Sequence, residues 1–295
     1  MDTKLLTFVE VCKTKNYTKA AKNLNLTQPA VSQHIKQLEE DYGVRLFTRV
    51  NNELSLTREG EIVLKYAMRI NSLYNDLERK IEDNKKYTQN LRVGITHTAE
   101  SNAAPEILAK YTSKYSGSHI KITSDTIRNL YDKLSNYQID LAIIEGKIAN
   151  KKYSSVLLGT DSLVAVASID NPLSKKKIVS LNDLKKEKLI LRNLESGTTT
   201  LFINELDKLG LTIDDLNVYF EIDSVASIKE LVKKDLGISI LPRSVCSPEI
   251  KAKQLVALPI ENMDLVRETN LVYINGNIDR KVLEDIVAIY REITE

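Results

Sequence analysis

The sequence predicts an α+β multidomain chain: a small N-terminal unit of short helices, one long connecting helix, and a larger C-terminal α/β part in two lobes. Three patterns predict it. Over residues 1–60, apolar side chains recur at helical spacing in short bursts. From Val63 to Ile81 a narrow apolar seam advances in steps of three and four. From Leu91 onward, short apolar runs alternate with helical stretches, the pattern of a mostly parallel sheet covered by helices. A chain of 295 residues is long enough for about two globular units at roughly 150 residues each.

The elements follow in order. Leu5, Phe8, Val9 and Cys12 mark a first helix, broken at Asn16-Tyr17. Thr18 is a cap candidate for a second short helix holding Ala20, Ala21 and Leu24, which Asn25 ends. Thr27 stands in an N-cap position with Pro29 in the first turn, and Val31, Ile35 and Leu38 give the third helix its apolar face to about Glu40. Asn51-Asn52 forms a hairpin-like turn between Phe47–Arg49 and Leu54–Leu56. A long helix from Arg58 to about Tyr87 carries the seam Val63, Tyr66, Ile70, Leu73, Leu77 and Ile81, too narrow for a globular core and suited to pairing with a second copy. Strands are expected at Leu91–Ile95, Ile120–Ser124, Asp140–Ile144, Leu163–Ala167, Leu189–Leu191, Val218–Ile222, Ile238–Leu241 and Leu271–Ile274, with helices between and a last helix from about Asp279.

Composition narrows the function. Apolar residues at 42% and charged residues at 28% describe a globular chain, not a disordered one. No run approaches the roughly 18 consecutive apolar residues of a membrane span, so no membrane partner is expected. The start, Met1-Asp2-Thr3-Lys4, does not read as a secretory signal, and a cytoplasmic protein is expected. Cys12 and Cys246 lie far apart in apolar contexts and read as buried thiols. His34, His97 and His119 do not cluster with cysteines or paired acids, so neither a metal nor a cofactor is expected. Net charge is +3 over residues 1–90 and −1 over 91–295, and Lys13, Lys15, Lys19, Lys22 and Lys36 stand between Val11 and Leu38 without an acid. A positive face of that kind fits a polyanion.

The second and third helices read as a helix-turn-helix around Leu24-Asn25-Leu26-Thr27. The third turns Gln28, Pro29, Ser32, Gln33 and Lys36 outward. Gln can bond an adenine edge bidentately, Ser donates or accepts, and Lys reaches guanine or phosphate, so this face has the chemistry of major-groove reading. The rival reading is a solvated polar face.

Residues 20–60 contain the pattern AA…L…TQPAVSQ.I..LE…G..LF.R…LT..G, and it strongly resembles the LysR-type transcriptional regulators. Leu91–Thr98 with Pro105, Asp140–Ile143, Ser196-Gly197-Thr198 and Leu236–Pro242 resemble later landmarks of the same family. The resemblance implies a winged helix-turn-helix at 1–58, a linker and dimerisation helix at 59–90, and a two-lobed, periplasmic-binding-protein-like effector-binding domain at 91–295. Lobe I would be 91–161 with 268–295, and lobe II 162–267. It also implies double-stranded promoter DNA and a second copy of the chain as partners, as a homodimer or a homotetramer on DNA, with RNA polymerase a further candidate. The DNA-binding set is then Thr27, Gln28, Pro29, Ser32, Gln33, Lys36 and Arg49. The chain departs from the pattern where arginine is frequent, at the hairpin tip Asn51-Asn52 and at Thr199, and where the family usually has a glycine and a hydroxyl residue, at Asp125 and Ile127.

A second site follows from α/β chemistry. Ligands of such folds sit at the carboxyl ends of strands, against helix N-termini. Thr96, His97 and Thr98 follow one strand, Ser196, Gly197 and Thr198 another, and Ser224 a third. Plain N-capping explains any one of them; three facing one cleft point to a small anion or carboxylate effector held by hydroxyls and backbone N–H groups without lysine or arginine. The alternatives are a cytoplasmic solute-binding protein or a hydrolase with an accessory N-terminal domain. The hydrolase lacks any G-x-S-x-G elbow, dinucleotide fingerprint or P-loop, and no catalytic residue or enzyme activity is expected.

Overall fold

The structure is a computed structural model that describes residues 2–50, 53–86, 88–146, 152–194 and 196–294. The chain divides into two compact units, residues 1–88 with 135–138, and residues 89–134 with 139–295.

The first unit contains α1 (Thr3–Thr14), α2 (Tyr17–Asn23), α3 (Gln28–Tyr42), a hairpin of β1 (Phe47–Val50) and β2 (Glu53–Leu56), and the long helix α4 (Arg58–Lys86). Phe8 and Val11 of α1, Ala20 and Ala21 of α2, and Val31, Ile35 and Leu38 of α3 bury one another with Leu46 and Ala67. The rings of Phe8 and Tyr17 lie 5.4 and 6.1 Å from Phe47, so tilted aromatic contacts fasten the hairpin to the helices. Thr27 caps α3 by accepting from the Ala30 N–H, and Gly43 ends it at φ +66. The cap of α2 is Asn16, not Thr18: Asn16 is extended and accepts the Lys19 N–H at 2.9 Å, whereas Thr18 already lies inside the first turn. The helix ends at Asn23, and Asn25 takes the left-handed conformation at φ 54.

The junction between α3, the hairpin and α4 is built from short polar contacts. The Glu39 carboxylate accepts the Leu46 N–H at 2.8 Å and the Arg45 guanidinium at 3.1 Å. The Thr57 N–H donates to the Leu46 carbonyl at 3.0 Å, and the Thr57 hydroxyl accepts the Gly60 N–H at 2.9 Å. A Cβ on Gly60 would stand 2.2 Å from that same Leu46 carbonyl oxygen. The Leu56-Thr57 to Gly60 spacing therefore encodes a cap and a close backbone approach. The tip residues Asn51 and Asn52 lie outside the described residues.

The second unit runs β3 (Gln89–Thr96), α5 (His97–Glu100), α6 (Ala104–Lys114), β4 (Ser118–Asp125), α7 (Ile127–Ser135), β5 (Leu141–Glu145), β6 (Ser154–Ser168), α8 (Leu181–Leu184), β7 (Leu189–Leu191), α9 (Gly197–Lys208), β8 (Val218–Glu221), α10 (Val225–Lys233), β9 (Ser239–Pro242), α11 (Ser247–Lys251), β10 (Leu255–Leu258), β11 (Val266–Tyr273) and α12 (Arg280–Thr294). Strands pair in the order β10-β6-β11-β5-β3-β4, with β9 also on β6 and β7 parallel to β8.

The apolar cores separate into two lobes. One gathers Val93, Ile95, Ile107, Tyr111, Ile143, Leu271 and Ile286; the other gathers Leu163, Ala165, Leu191, Phe202, Leu206 and Ile240. β6 reaches both, with Leu163, Ala165 and Ala167 in the second core and Val156 and Leu158 packed on the first, while β11 adds Leu271 to the first. Residues 154–162 of β6 pair with β11, and residues 163–168 pair with β9 and β10.

This corrects the expectation of a mostly parallel sheet. β3 pairs in parallel with β4 and β5, but every contact of β6 and β11 is antiparallel, because one strand leaves a lobe where the other returns. The segment expected as Leu163–Ala167 is the inner part of a 15-residue strand. Its first half alternates half-buried and exposed positions and so carries no continuous apolar run.

Gly60→Ala should destabilise the first unit by about 1–3 kcal/mol, since the Leu46 carbonyl cannot retreat without losing its hydrogen bond. Calorimetry should show one transition moved down and the other in place; an unchanged profile rejects the close-approach assignment.

Candidate functional site

Helix α3 has two chemically distinct faces. Val31, Ile35 and Leu38 are buried, while Thr27, Gln28, Pro29, Gln33 and Lys36 are exposed and Ser32 is half-buried. The Gln28 amide donates to the Ser32 hydroxyl at 2.8 Å, which pre-orients two polar groups on one turn. Lys36 faces Glu40 at 3.5 Å, an exposed pair that holds it weakly. Arg49 is exposed on β1. His34 is half-buried and turns toward the unit's own helices: its Nδ1 lies 2.9 Å from the hydroxyl of the buried Thr7.

Among the described residues nothing covers most of the α4 seam. Tyr66, Ile70, Leu73, Leu77 and Ile81 are all exposed, Leu77 at 55%. Val63 departs from the expected seam: it packs on the core of its own unit beside Leu64. A row of large apolar side chains along one helix face is unusual on a monomer surface.

In the second unit the predicted hydroxyls cap helices. Thr96 ends β3, accepts the Ala99 N–H at 3.4 Å and donates to the Glu145 carboxylate at 3.3 Å. His97 is half-buried, with Nδ1 4.0 Å from Glu100. Thr98 is buried. Ser196 caps α9 through the Thr199 N–H at 3.1 Å, and Ser224 caps α10 through the Ser227 N–H at 3.2 Å. A Cβ on Gly197 would lie 3.7 Å from the Glu145 carbonyl oxygen, so the start of α9 meets the end of β5. The Thr198 hydroxyl is buried and has no hydrogen-bond partner among the described residues.

Thr96 and Gly197 thus converge on Glu145, while Ser224 remains exposed. What joins the two sides is a residue the sequence reading did not single out. Arg192, 3% exposed, donates from Nη1 to the Thr98 hydroxyl at 3.4 Å, from Nε to the Asp223 carbonyl at 3.2 Å, and from Nη2 to the Asp223 carboxylate. Its own carbonyl accepts from the Thr199 hydroxyl at 2.9 Å. An arginine therefore stands beside the expected hydroxyls: position 199 lacks an arginine, and its threonine holds one seven residues upstream. The available signal was position, because residue 192 immediately follows β7, at the strand end where ligand groups gather. Glu145, bonded also to Arg267 at 2.8 Å, was missed for the same reason.

Residues 3–61 match the bacterial regulatory helix-turn-helix protein, lysR family, and residues 85–293 match the LysR substrate binding domain. The chain belongs to the LysR family. This LysR-type protein is a DNA-binding transcriptional regulator with an effector-binding domain. It is 32% identical over 269 residues to an uncharacterised HTH-type transcriptional regulator of Methanocaldococcus jannaschii, covering 90% of each chain. It is also 32% identical over 267 residues to the HTH-type transcriptional activator CmpR of Synechocystis, covering 90% of this chain and 86% of that one. Among solved structures, CbnR complexed with its target DNA superposes with a TM-score of 0.71 at 19% identity, covering 98% of both chains, which shows the shared fold. Among the described residues of the LysR-type chain, no helix is long and apolar enough to cross a membrane, and no group of His, Cys, Asp and Glu is placed to hold a metal.

Burial pushes the thiols of Cys12 and Cys246 up to about 12. At pH 8 each should be thiolate in about one molecule in ten thousand, far below an ordinary cysteine. A chromogenic disulfide reagent should therefore titrate neither thiol in the native LysR-type chain and both after unfolding; a fast native reaction rejects this.

Proposed function

We propose that this regulator works as a cytoplasmic dimer, assembling to a tetramer on promoter DNA, that reads DNA with α3 and switches on binding a small anion or carboxylate in the cleft between its lobes. The observation that carries the DNA part is the division of α3: its apolar face is consumed by the core, leaving Gln28, Ser32, Gln33 and Lys36 on the outer face. Thr27 and Pro29 set the start of that helix, and Arg49 on the hairpin supplies a backbone contact. The neighbour CbnR, solved with its target DNA, supports the same use of the fold. RNA polymerase is retained as a partner in activation, and no catalytic role is assigned, in keeping with the regulator names of the relatives.

The effector part rests on Thr96, His97, Thr98, Ser196, Gly197, Thr198 and Ser224. Backbone N–H groups at the first turn of the 12-residue α9 and the buried Thr198 hydroxyl supply donors for an acidic group. Binding regulates only as far as the ligand prefers one lobe or dimer arrangement; roughly 1–3 kcal/mol of preference suffices.

Gln28→Ala or Gln33→Ala should each lose about 1–3 kcal/mol on a site selected by the wild-type protein from random DNA, with little loss on unselected DNA. Gel shifts at physiological salt decide, and normal affinity in both variants moves recognition off this helix. For assembly, Ile70→Asp with Leu77→Asp buries two unpaired charges in the seam and should give monomers by light scattering, with most DNA affinity lost alongside. An intact dimer would place the interface elsewhere.

A further inference from the structure

We propose that Arg192 selects the charge of the cleft ligand, and that the Asp223 carboxylate is a built-in competitor for the same guanidinium edge. This rests on the reading of the cleft as an anion site. Arg192 cannot leave: its side chain is 3% exposed, and its backbone is tied to the first turn of α9 through Thr199. Asp223 can leave, since its side chain is 46% exposed and returns to water at little cost. The bonding of the guanidinium is unequal. Nε is satisfied by the Asp223 backbone carbonyl, whereas the Nη1–Nη2 edge has one carboxylate oxygen and a long 3.4 Å contact to Thr98. A guanidinium presents five N–H donors in a fixed fork, and a ligand oxyanion fills that edge with two parallel bonds. The ligand class is therefore a small oxyanion, carboxylate or tetrahedral, that engages Arg192 and Thr98 together and releases Asp223. Asp223 directly precedes the Ser224 cap of α10, so the exchange acts at the start of that helix.

The test uses the full-length chain, with sodium acetate and sodium sulfate as probes in thermal-shift and calorimetric titrations at constant ionic strength. Asp223→Asn removes the competitor and strands a buried cation, so it should melt lower than wild type without the probe, recover on adding it, and bind it about tenfold more tightly. The double variant Arg192→Gln/Asp223→Asn should regain thermal stability and lose the response, as should Arg192→Gln alone. Should Arg192→Gln fail to fold, the Asp223→Asn titration decides by itself. Equal affinity in Asp223→Asn and wild type overturns the proposal, as does an undiminished response in Arg192→Gln. Loss of response in Thr98→Val while Arg192→Gln keeps it leaves the anion cleft standing and removes Arg192 from it. No response to either probe in any variant overturns both. The stronger of the two probes tells a planar from a tetrahedral ligand.

Discussion

The second unit depends on the antiparallel pairing of β6 with β11: β6 carries the chain from one lobe's core into the other's, and β11 starts directly after Leu265 of the second core and returns to the first. At their crossing Arg267 stands opposite Asp161 in register. The Arg267 guanidinium reaches the Glu145 carboxylate at 2.8 Å and that of Asp161 at 3.7 Å, with Arg267 and Glu145 almost wholly buried. A buried charge that lost its partner here would cost about 3–5 kcal/mol, so the crossing tolerates movement only as far as the ion pairs persist. Asp161 also accepts the Ser244 hydroxyl, and Ser244 accepts from Asn102 at 2.9 Å, so the same cluster touches side chains from each lobe.

From that crossing the cleft inherits its chemistry. Glu145 ends β5 and is shared between Arg267 on one side and Thr96 on the other, so a hydroxyl proposed to meet the ligand is already bonded to the group that braces the hinge strands. Arg192 reaches Thr98 from the other lobe. The proposed ligand exchange and the lobe geometry would therefore share the same few hydrogen bonds, the route by which a small differential affinity could become a change of arrangement.

The first unit obeys a simpler constraint. Three short helices are each too brief to be stable alone and hold together by burying one shared stripe. Burying that stripe leaves the polar face of α3 outward and fixes it against the hairpin through Glu39 and Phe47. The α4 stripe has no such cover among the described residues, and its exposed Tyr66, Ile70 and Leu77 are the apolar surface that the proposed second copy would remove from water.

Local chemistry was readable from residue order alone: the α3 cap at Thr27, the stop at Gly43, most of the helix and strand sequence of the larger unit (though not β10 or the short helices α5, α8 and α11), and the family itself follow from short-range spacing of apolar, capping and turn residues. Those signals act within one turn or one strand, so a linear reading captures them. Tertiary structure alone decided the antiparallel role of β6 and β11, the siting of Val63 in the core and not the seam, and the meeting of Arg192 with Thr98 and Asp223. The β6–β11 pairs join residues 104 to 119 positions apart and Arg192 meets Thr98 across 94, and nothing near Arg192 in the chain announces its partners. Burial makes the difference: a guanidinium removed from water has to find acceptors, and only the folded backbone brings them within reach.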